Sequence, residues 1–270
     1  MAKIHTELMR NIEAALDSDD RVLACWYEGS IARAEDDDYS DIDLWITVKD
    51  KDFESFIDDR EKFAAQLGDV LSVLYPRVMD QDADIDSFSV VFEDQPITLT
   101  LDVDVQKRSR KFTFTKDSDA QECRMIFDKA NVIRYKPFNP QQVEQYVEEV
   151  YDDLVMRFWH QLPRLKAMIE REDILEATDQ YMKRLEDLVT LYRIMYTPEK
   201  VDWGFKDIEY DLPGDAVKVI YNLLPHEAPR ALHRQMQKLA GVFSKQTKLT
   251  AKRLRVNMPK LLSEHISKGL

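Results

Sequence analysis

Two acidic residues one apart, Asp41-Ile42-Asp43, follow a Gly29-Ser30 pair after ten intervening residues, and this set carries the chemistry of the sequence. From Asp41 to Val48 the residues alternate. Ile42, Leu44, Ile46 and Val48 fall on one side, and Asp41, Asp43, Trp45 and Thr47 on the other, which is the pattern of a β-strand. Residues two apart on a strand point the same way, about 6.6 Å apart along the chain. Asp41 and Asp43 can therefore lean together onto one or two divalent ions. Two bare carboxylates about 4 Å apart repel by roughly 4 kcal/mol at an effective dielectric of 20, so the pair needs a cation. Magnesium or manganese suits it, because a small hard ion takes one or two carboxylates together with the phosphates of a substrate.

Gly29-Ser30 supplies a place for those phosphates. The apolar run Val22-Leu23-Ala24-Cys25-Trp26-Tyr27 reads as a buried strand ending near Glu28. Glycine then lets the backbone approach a ligand, and the unpaired first amides of a helical turn favour an anion. The Ser30 hydroxyl adds one donor. A calcium loop starting at Asp36 would need glycine at its sixth position and Glu at its twelfth. Asp41 and Thr47 stand there instead, which rules it out.

The elements that must hold these residues lie in the first half of the chain. Residues 3–17 have helical periodicity, 51–67 form an amphipathic helix, and 87–93 and 97–105 form two strands around the turn Asp94-Gln95-Pro96. On the second strand Thr98, Thr100, Asp102 and Asp104 share the polar face. A short strand is expected near Arg124 to Phe127. Beyond Pro137 and Pro140 the pattern is helical to residue 270, with breaks at Pro198, Trp203-Gly204, Pro213-Gly214 and Pro225. The expected class is α+β: a mixed-sheet domain over 1–137 and an all-helical domain over 138–270.

The 270 residues are 44% hydrophobic and 33% charged, enough apolar surface for a sizeable core. The net charge of −13 speaks against a nucleic-acid partner and for cationic ones. Two cysteines make no disulfide framework, and Cys25 reads as a buried small hydrophobe. No stretch approaches the roughly 20 apolar residues of a membrane span, and residues 1–10 carry no signal-peptide pattern. A cytosolic enzyme is expected. The five histidines show no metal-ligand spacing, the run Asp36-Asp37-Asp38 reads as a solvated loop, and Phe158, Trp159 and Tyr192 as core.

Gly29-Ser30 with Ser40-Asp41-Ile42-Asp43-Leu44 resembles the nucleotidyltransferase superfamily with the DNA-polymerase-β-like fold. Chain length and the helical second half look like its antibiotic-modifying branch, the streptomycin (aminoglycoside 6-) adenylyltransferases and the lincosamide nucleotidyltransferases. The stretch Phe158-Trp159 through Lys166, Arg171-Glu172 and Ala177, then Trp203-Gly204-Phe205-Lys206, resembles the helical domain of the first group. The resemblance implies transfer of a nucleoside monophosphate, AMP from ATP, to a hydroxyl of a small molecule such as an aminoglycoside. In that scheme Asp41 and Asp43 hold the metal, Gly29, Ser30 and Lys206 contact the triphosphate, and the helical domain takes the acceptor.

The family also places a third carboxylate after a hairpin, and counting from the turn puts it near Thr98, which cannot take a proton. Asp102 is the expected substitute, about 13 Å further along the strand, so a shifted register or a bulge must bring it in. Asp104 is expected to face solvent. The alternative is a non-catalytic nucleotide-binding or regulatory module that keeps the metal pair without the base.

Overall fold

The computed structural model describes residues 3–75, 84–93, 95, 96, 98–110, 112–118, 120–225 and 229–256. They form two compact units, 1–138 and 139–270.

The first unit opens with helix α1 (Lys3–Ser18), whose Leu8, Met9, Ile12 and Leu16 repeat at helical spacing and are all buried. Strand β1 (Val22–Tyr27) is buried at every residue, as a central strand covered on both faces must be. The short helix α2 (Gly29–Arg33) and strand β2 (Ile42–Val48) follow. The helix expected over 51–67 is instead three short pieces: a 3₁₀ turn at Asp50–Asp52, α3 (Phe53–Asp58) and α4 (Arg60–Ala65). α3 keeps Phe53 and Phe56 inward and α4 keeps Phe63 inward, so the apolar period survives the break between them.

Then come β3 (Val70–Leu74), β4 (Ile85–Phe92), β5 (Thr100–Lys107), β6 (Thr113–Lys116), β7 (Arg124–Asp128) and β8 (Arg134–Pro137). The turn expected at Asp94-Gln95-Pro96 and the strand start at Ile97 fall partly outside the described residues, since Asp94 and Ile97 are not among them. Six strands make one sheet in the order β3-β4-β5-β2-β1-β7, and β6 pairs with β8 in a second. Within the six-stranded sheet only β2 and β5 run parallel; the other neighbours are antiparallel.

One face of that sheet packs Ile42, Leu44, Ile46 and Val48 against Leu101, Val103 and Val105, with the helices α1, α3 and α4 contributing to the same core. Burying each such side chain is worth about 1.5–3 kcal/mol. The other face is not uniformly polar. Trp26 and Trp45 stack at 5.8 Å there, Phe112 and Phe114 from around β6 pack on them, and Thr47 is buried under a hydrogen bond from Gln106. Asp43 on β2 and Asp102 and Asp104 on β5 stay only part-buried on this face.

The second unit is helical, as the sequence pattern indicates. Helix α5 (Pro140–Glu170) starts on an Asn139 cap whose side chain accepts from the Gln141 and Gln142 amides, with Pro140 in the first turn. Helix α6 (Ile174–Tyr196) follows after a break at Arg171-Glu172-Asp173 that no Gly or Pro signals; Glu172 has φ +63°. A 3₁₀ turn (Pro198–Trp203), α7 (Ile208–Asp211), α8 (Gly214–Tyr221) and α9 (Pro229–Leu254) complete it. Phe158 stacks on Phe243, and Trp159 meets both edge-on. No helix among the described residues is long and apolar enough to cross a membrane.

Candidate active site

The site begins where β1 ends. The Glu28 amide donates to the Asp43 carbonyl at 3.0 Å, so the chain leaves β1 still tied to β2. Gly29 then adopts φ +63°, the left-handed region in which glycine alone is unstrained. A Cβ placed on it would overlap Asp43 Oδ2 and lie 3.3 Å from Asp43 Cγ. Gly29 is therefore what leaves room for the Asp43 carboxylate. Helix α2 has only five residues, so the amides of its first turn have no helical partners. The Ser30 hydroxyl beside them is buried and makes no hydrogen bond. Buried hydroxyls are seldom left unmade, so this orphan donor suits a ligand oxygen.

Asp41 is exposed just before β2, and Asp43 is half-buried on its second residue. The parallel neighbour β5 lays Asp102 directly beside Asp43, in a ladder that runs without a shift from Ile42↔Leu101 to Val48↔Lys107. One ligand atom from each of Asp41, Asp43 and Asp102 lies within 4.8 Å of the others. Three carboxylates at that spacing are hard oxygen donors of the kind a small divalent ion takes. The sequence count had Asp102 too far away without a bulge or slipped register, and this is corrected. Strand β5 runs over Thr100–Lys107, and its antiparallel ladder with β4 is also regular. Thr98 is exposed in the preceding turn and has no place at the site.

Residues 2–270 match the family model for streptomycin adenylyltransferase. The chain belongs to that family. No curated protein matches it. Among solved structures, an aminoglycoside 6-adenyltransferase from Bacillus subtilis aligns at 18% identity and a TM-score of 0.40, over 97% of this chain and 96% of that one. The family makes this protein an adenylyltransferase-type enzyme, and a purely regulatory module loses its ground.

The adenylyltransferase carries two further carboxylates around the triad. Asp104 does not face solvent as expected: it is half-buried opposite Ser87, whose hydroxyl donates to its Oδ1. Burial raises its carboxyl above the ordinary value, and Asp102 adds to this. Glu28 accepts from Trp26 Nε1 at 2.9 Å, and burial raises its carboxyl too, with Asp43 and Asp104 adding repulsion. The Asp102 Oδ1 accepts from Ser89 on β4.

Sequence reasoning missed His5. It is fully buried on α1, with Nε2 3.1 Å from the Ser40 carbonyl and Nδ1 3.5 Å from Asp36 Oδ2. Asp36 is therefore not solvated; its side chain is 3% exposed. Asp37 is exposed but orders the same loop, its Oδ1 accepting from the Tyr39 amide and the Ser40 hydroxyl. The residue ahead of Asp41 is thus held from both sides. No local spacing signals a contact across 35 residues.

Lys206 lies in the helical unit, exposed, its ammonium 5.3 Å from the Trp203 ring centroid. Its loop is pinned by fully buried Arg193, which donates to the Gly204 carbonyl at 2.8 Å, to the Lys206 carbonyl and to Asp211 at 3.0 Å.

Proposed function

We propose that this enzyme transfers AMP from ATP, with magnesium or manganese, to a hydroxyl of a small cationic acceptor of the aminoglycoside type. The observation that carries the proposal is the convergence of Asp41, Asp43 and Asp102 within 4.8 Å, beside a glycine whose missing side chain makes room for Asp43. The acceptor class rests on the family and suits the net charge of −13.

Asp41 and Asp43 would hold the metal ion, with Asp102 as third ligand. When bound, the ion offsets the charge of the phosphates and favours an in-line displacement. The remaining work belongs to the chain. Gly29 and Ser30 bind triphosphate oxygens through the first amides of α2 and the Ser30 hydroxyl. Asp102 receives the proton of the acceptor hydroxyl on Oδ2, since Oδ1 is engaged by Ser89. The acceptor oxygen bonds to the α-phosphorus as the bond from that phosphorus to the bridging oxygen breaks, and pyrophosphate leaves.

The test is incubation with each nucleoside triphosphate, magnesium and a panel of aminoglycosides and lincosamides, read by mass spectrometry. An adenylylated aminoglycoside with release of pyrophosphate is expected. The absence of any nucleotidylated product across the panel would reject the reading.

A further inference from the structure

Helix α9 (Pro229–Leu254) differs in charge from the rest of the chain. Acidic residues are 51 of the 270, so an average stretch as long as Pro229–Arg255 would carry about five. This stretch carries none, and it holds eight basic residues. The net charge of −13 averages over a surface on which charge is unevenly spread.

The spacing puts these cations in one line. Arg234, Lys238, Gly241, Lys245, Lys248 and Lys252 follow one another by four or three residues, and all six are exposed. Positions at i+3 and i+4 meet on the surface of a helix, so they make one stripe of about 27 Å at 1.5 Å per residue. Arg255 is exposed just past the end of the helix. The opposite side is core, with Leu232, Met236, Leu239, Phe243 and Leu254 buried. Between Arg234 and Arg255 the other exposed residues are Gln237 and Leu249.

A merely solvated face would mix signs, as the other long helices of this chain do. On α5 Arg157 meets Asp153 at 2.6 Å and Lys166 meets Glu170 at 3.6 Å, and on α6 Lys183 meets Asp179 at 2.7 Å, each at i,i+4. On α9 the neighbours at such spacings are like charges: Arg234 with Lys238, Lys245 with Lys248, and Lys248 with Lys252. That arrangement weakens a helix. None of the five cations in the stripe has an ion pair among the described residues, whereas Arg253, beside the stripe, meets Glu144 at 2.9 Å. The helix dipole accounts for Lys252 in the last turn, but not for Arg234 and Lys238 in the first half.

Gly241 is a second, independent observation. It interrupts the stripe near its middle, and a Cβ on it would meet nothing within 4 Å. Packing within the chain therefore does not call for glycine, and its φ is not left-handed. Glycine is unfavourable inside a helix. What it provides on an exposed face is close approach of another molecule's backbone.

We propose that this stripe docks a DNA duplex along its phosphates, with the backbone of one strand against Gly241 and the flanking cations on phosphates to either side. The stripe spans about eight phosphates of one strand at 3.4 Å each. A straight row one residue wide matches a linear polyanion better than a flat one. A helix that binds a membrane surface inserts its apolar side, and here that side is core. RNA recognition adds contacts to 2′-hydroxyls or splayed bases through polar and aromatic side chains, and this face offers only Gln237. With its other side in the core, α9 lies along the phosphates and reads no base edges, so binding is independent of sequence. The inference goes beyond the transferase reading and does not rest on it.

The test is fluorescence anisotropy of a labelled DNA duplex of about 20 base pairs with the full chain, from about 50 to 200 mM salt. A Kd of about 1 μM is expected at the low end for any sequence, and log affinity should fall against log salt with a slope of about −4.5, from five phosphate contacts. The variant Lys238→Gln/Lys245→Gln/Lys248→Gln/Lys252→Gln should flatten the slope to about −1 and weaken binding at low salt by about 100-fold. Lys51→Gln/Lys62→Gln/Lys116→Gln/Lys218→Gln removes the same charge from exposed positions elsewhere and should stay within about threefold of the wild type. Gly241→Leu keeps every charge and should bind about tenfold more weakly with an unchanged slope. Melting temperatures no lower than that of the wild type establish that the variants fold.

No binding at low salt, or equal losses in the two fourfold variants, overturns the proposal. So does tighter binding to phosphatidylglycerol vesicles or to an RNA duplex of the same sequence, since either assigns the stripe to another partner. Wild-type affinity in Gly241→Leu overturns the docking of a strand on this face, and this variant decides the matter if the fourfold α9 variant fails to fold.

Discussion

Gly29 and Asp43 compete for one volume: any Cβ on residue 29 would overlap Asp43 Oδ2. Thirteen residues of chain lie between them, yet the end of β1 and the start of β2 bring the backbone of one against the carboxylate of the other. The absent side chain is as much a part of the acidic site as the carboxylates are.

Gly29→Ala should therefore act twice. An alanine at φ +63° costs roughly 1–2 kcal/mol of stability from backbone strain. Separately, Asp43 must move, and the rise in melting temperature produced by magnesium plus ATP should be lost. Ala34→Gly is the control, since Ala34 is also left-handed, at φ 56°, but exposed at the end of α2. It should keep the full ligand shift. Thermal melts with and without magnesium and ATP decide the matter, and an intact shift in Gly29→Ala would remove the link between this glycine and the metal pair.

Asp102→Asn should lower turnover by about 10²- to 10⁴-fold, the usual contribution of a general base. Asp104→Asn should lower it by less than about tenfold, because its neighbour Ser87 can still donate to the amide oxygen and no proton is assigned to it. Single-turnover rates at saturating triphosphate separate chemistry from binding. A larger loss in Asp104→Asn than in Asp102→Asn would exchange the two roles.

Part of this site was legible in the sequence, and part was not, for physical reasons. The alternation from Ile42 to Val48 reports directly on a strand with one buried face, so the shared direction of Asp41 and Asp43 could be read. The adjacency of Asp102 could not. It depends on which strands pair and in what register, and the count from Pro96 assumed a tight turn where β5 in fact starts at Thr100. The aromatic cover over Trp26 and Trp45 comes from a separate small sheet, β6 with β8, whose strands are only four residues each. The break between α5 and α6 at Glu172 uses a left-handed residue that is neither Gly nor Asn. The contact between His5 and Asp36 is purely tertiary.

That contact makes His5 a positioning residue for the loop that delivers Asp41. His5→Leu would leave the Ser40 carbonyl and the Asp36 carboxylate buried without this partner. Losing the hydrogen bond to the Ser40 carbonyl costs about 1–3 kcal/mol. The more telling readout is functional. Affinity for magnesium plus ATP should weaken by about tenfold as the loop loosens, while amide exchange should rise in residues 35–41 ahead of the rest of the unit. His5→Gln, which keeps a donor for the Ser40 carbonyl, should recover part of both. Faster exchange spread evenly through the unit, with unchanged nucleotide affinity, would mean that His5 is only a core residue.

In the helical unit the ion cluster Arg193, Asp211 and Lys200 should set an acid limit on stability. Arg193 is fully buried, and Asp211 lies 3.0 Å from its Nη1 and 2.7 Å from Lys200 Nζ. Burial alone would raise the Asp211 carboxyl, but hydrogen bonds from Lys200 and Arg193 outweigh it and hold the group below its ordinary value. A carboxyl lowered in the folded state binds its proton more weakly there than in the unfolded chain. Its contribution is therefore complete above the unfolded value, near pH 4, and is lost as pH falls through the folded value.

Asp211→Ala should destabilise the unit by about 3 kcal/mol at pH 7, the lower end for a broken buried pair, because Arg193 keeps the Gly204 and Lys206 carbonyls. The gap between wild type and variant should stay constant from pH 7 to about 5 and close below about 4. Hydrogen exchange of α6 and the 203–206 loop across that range measures both, and it reports on the anchoring of Lys206 as well. A gap that widened on acidification would show that Asp211 is stabilised as the neutral acid and would overturn the pairing.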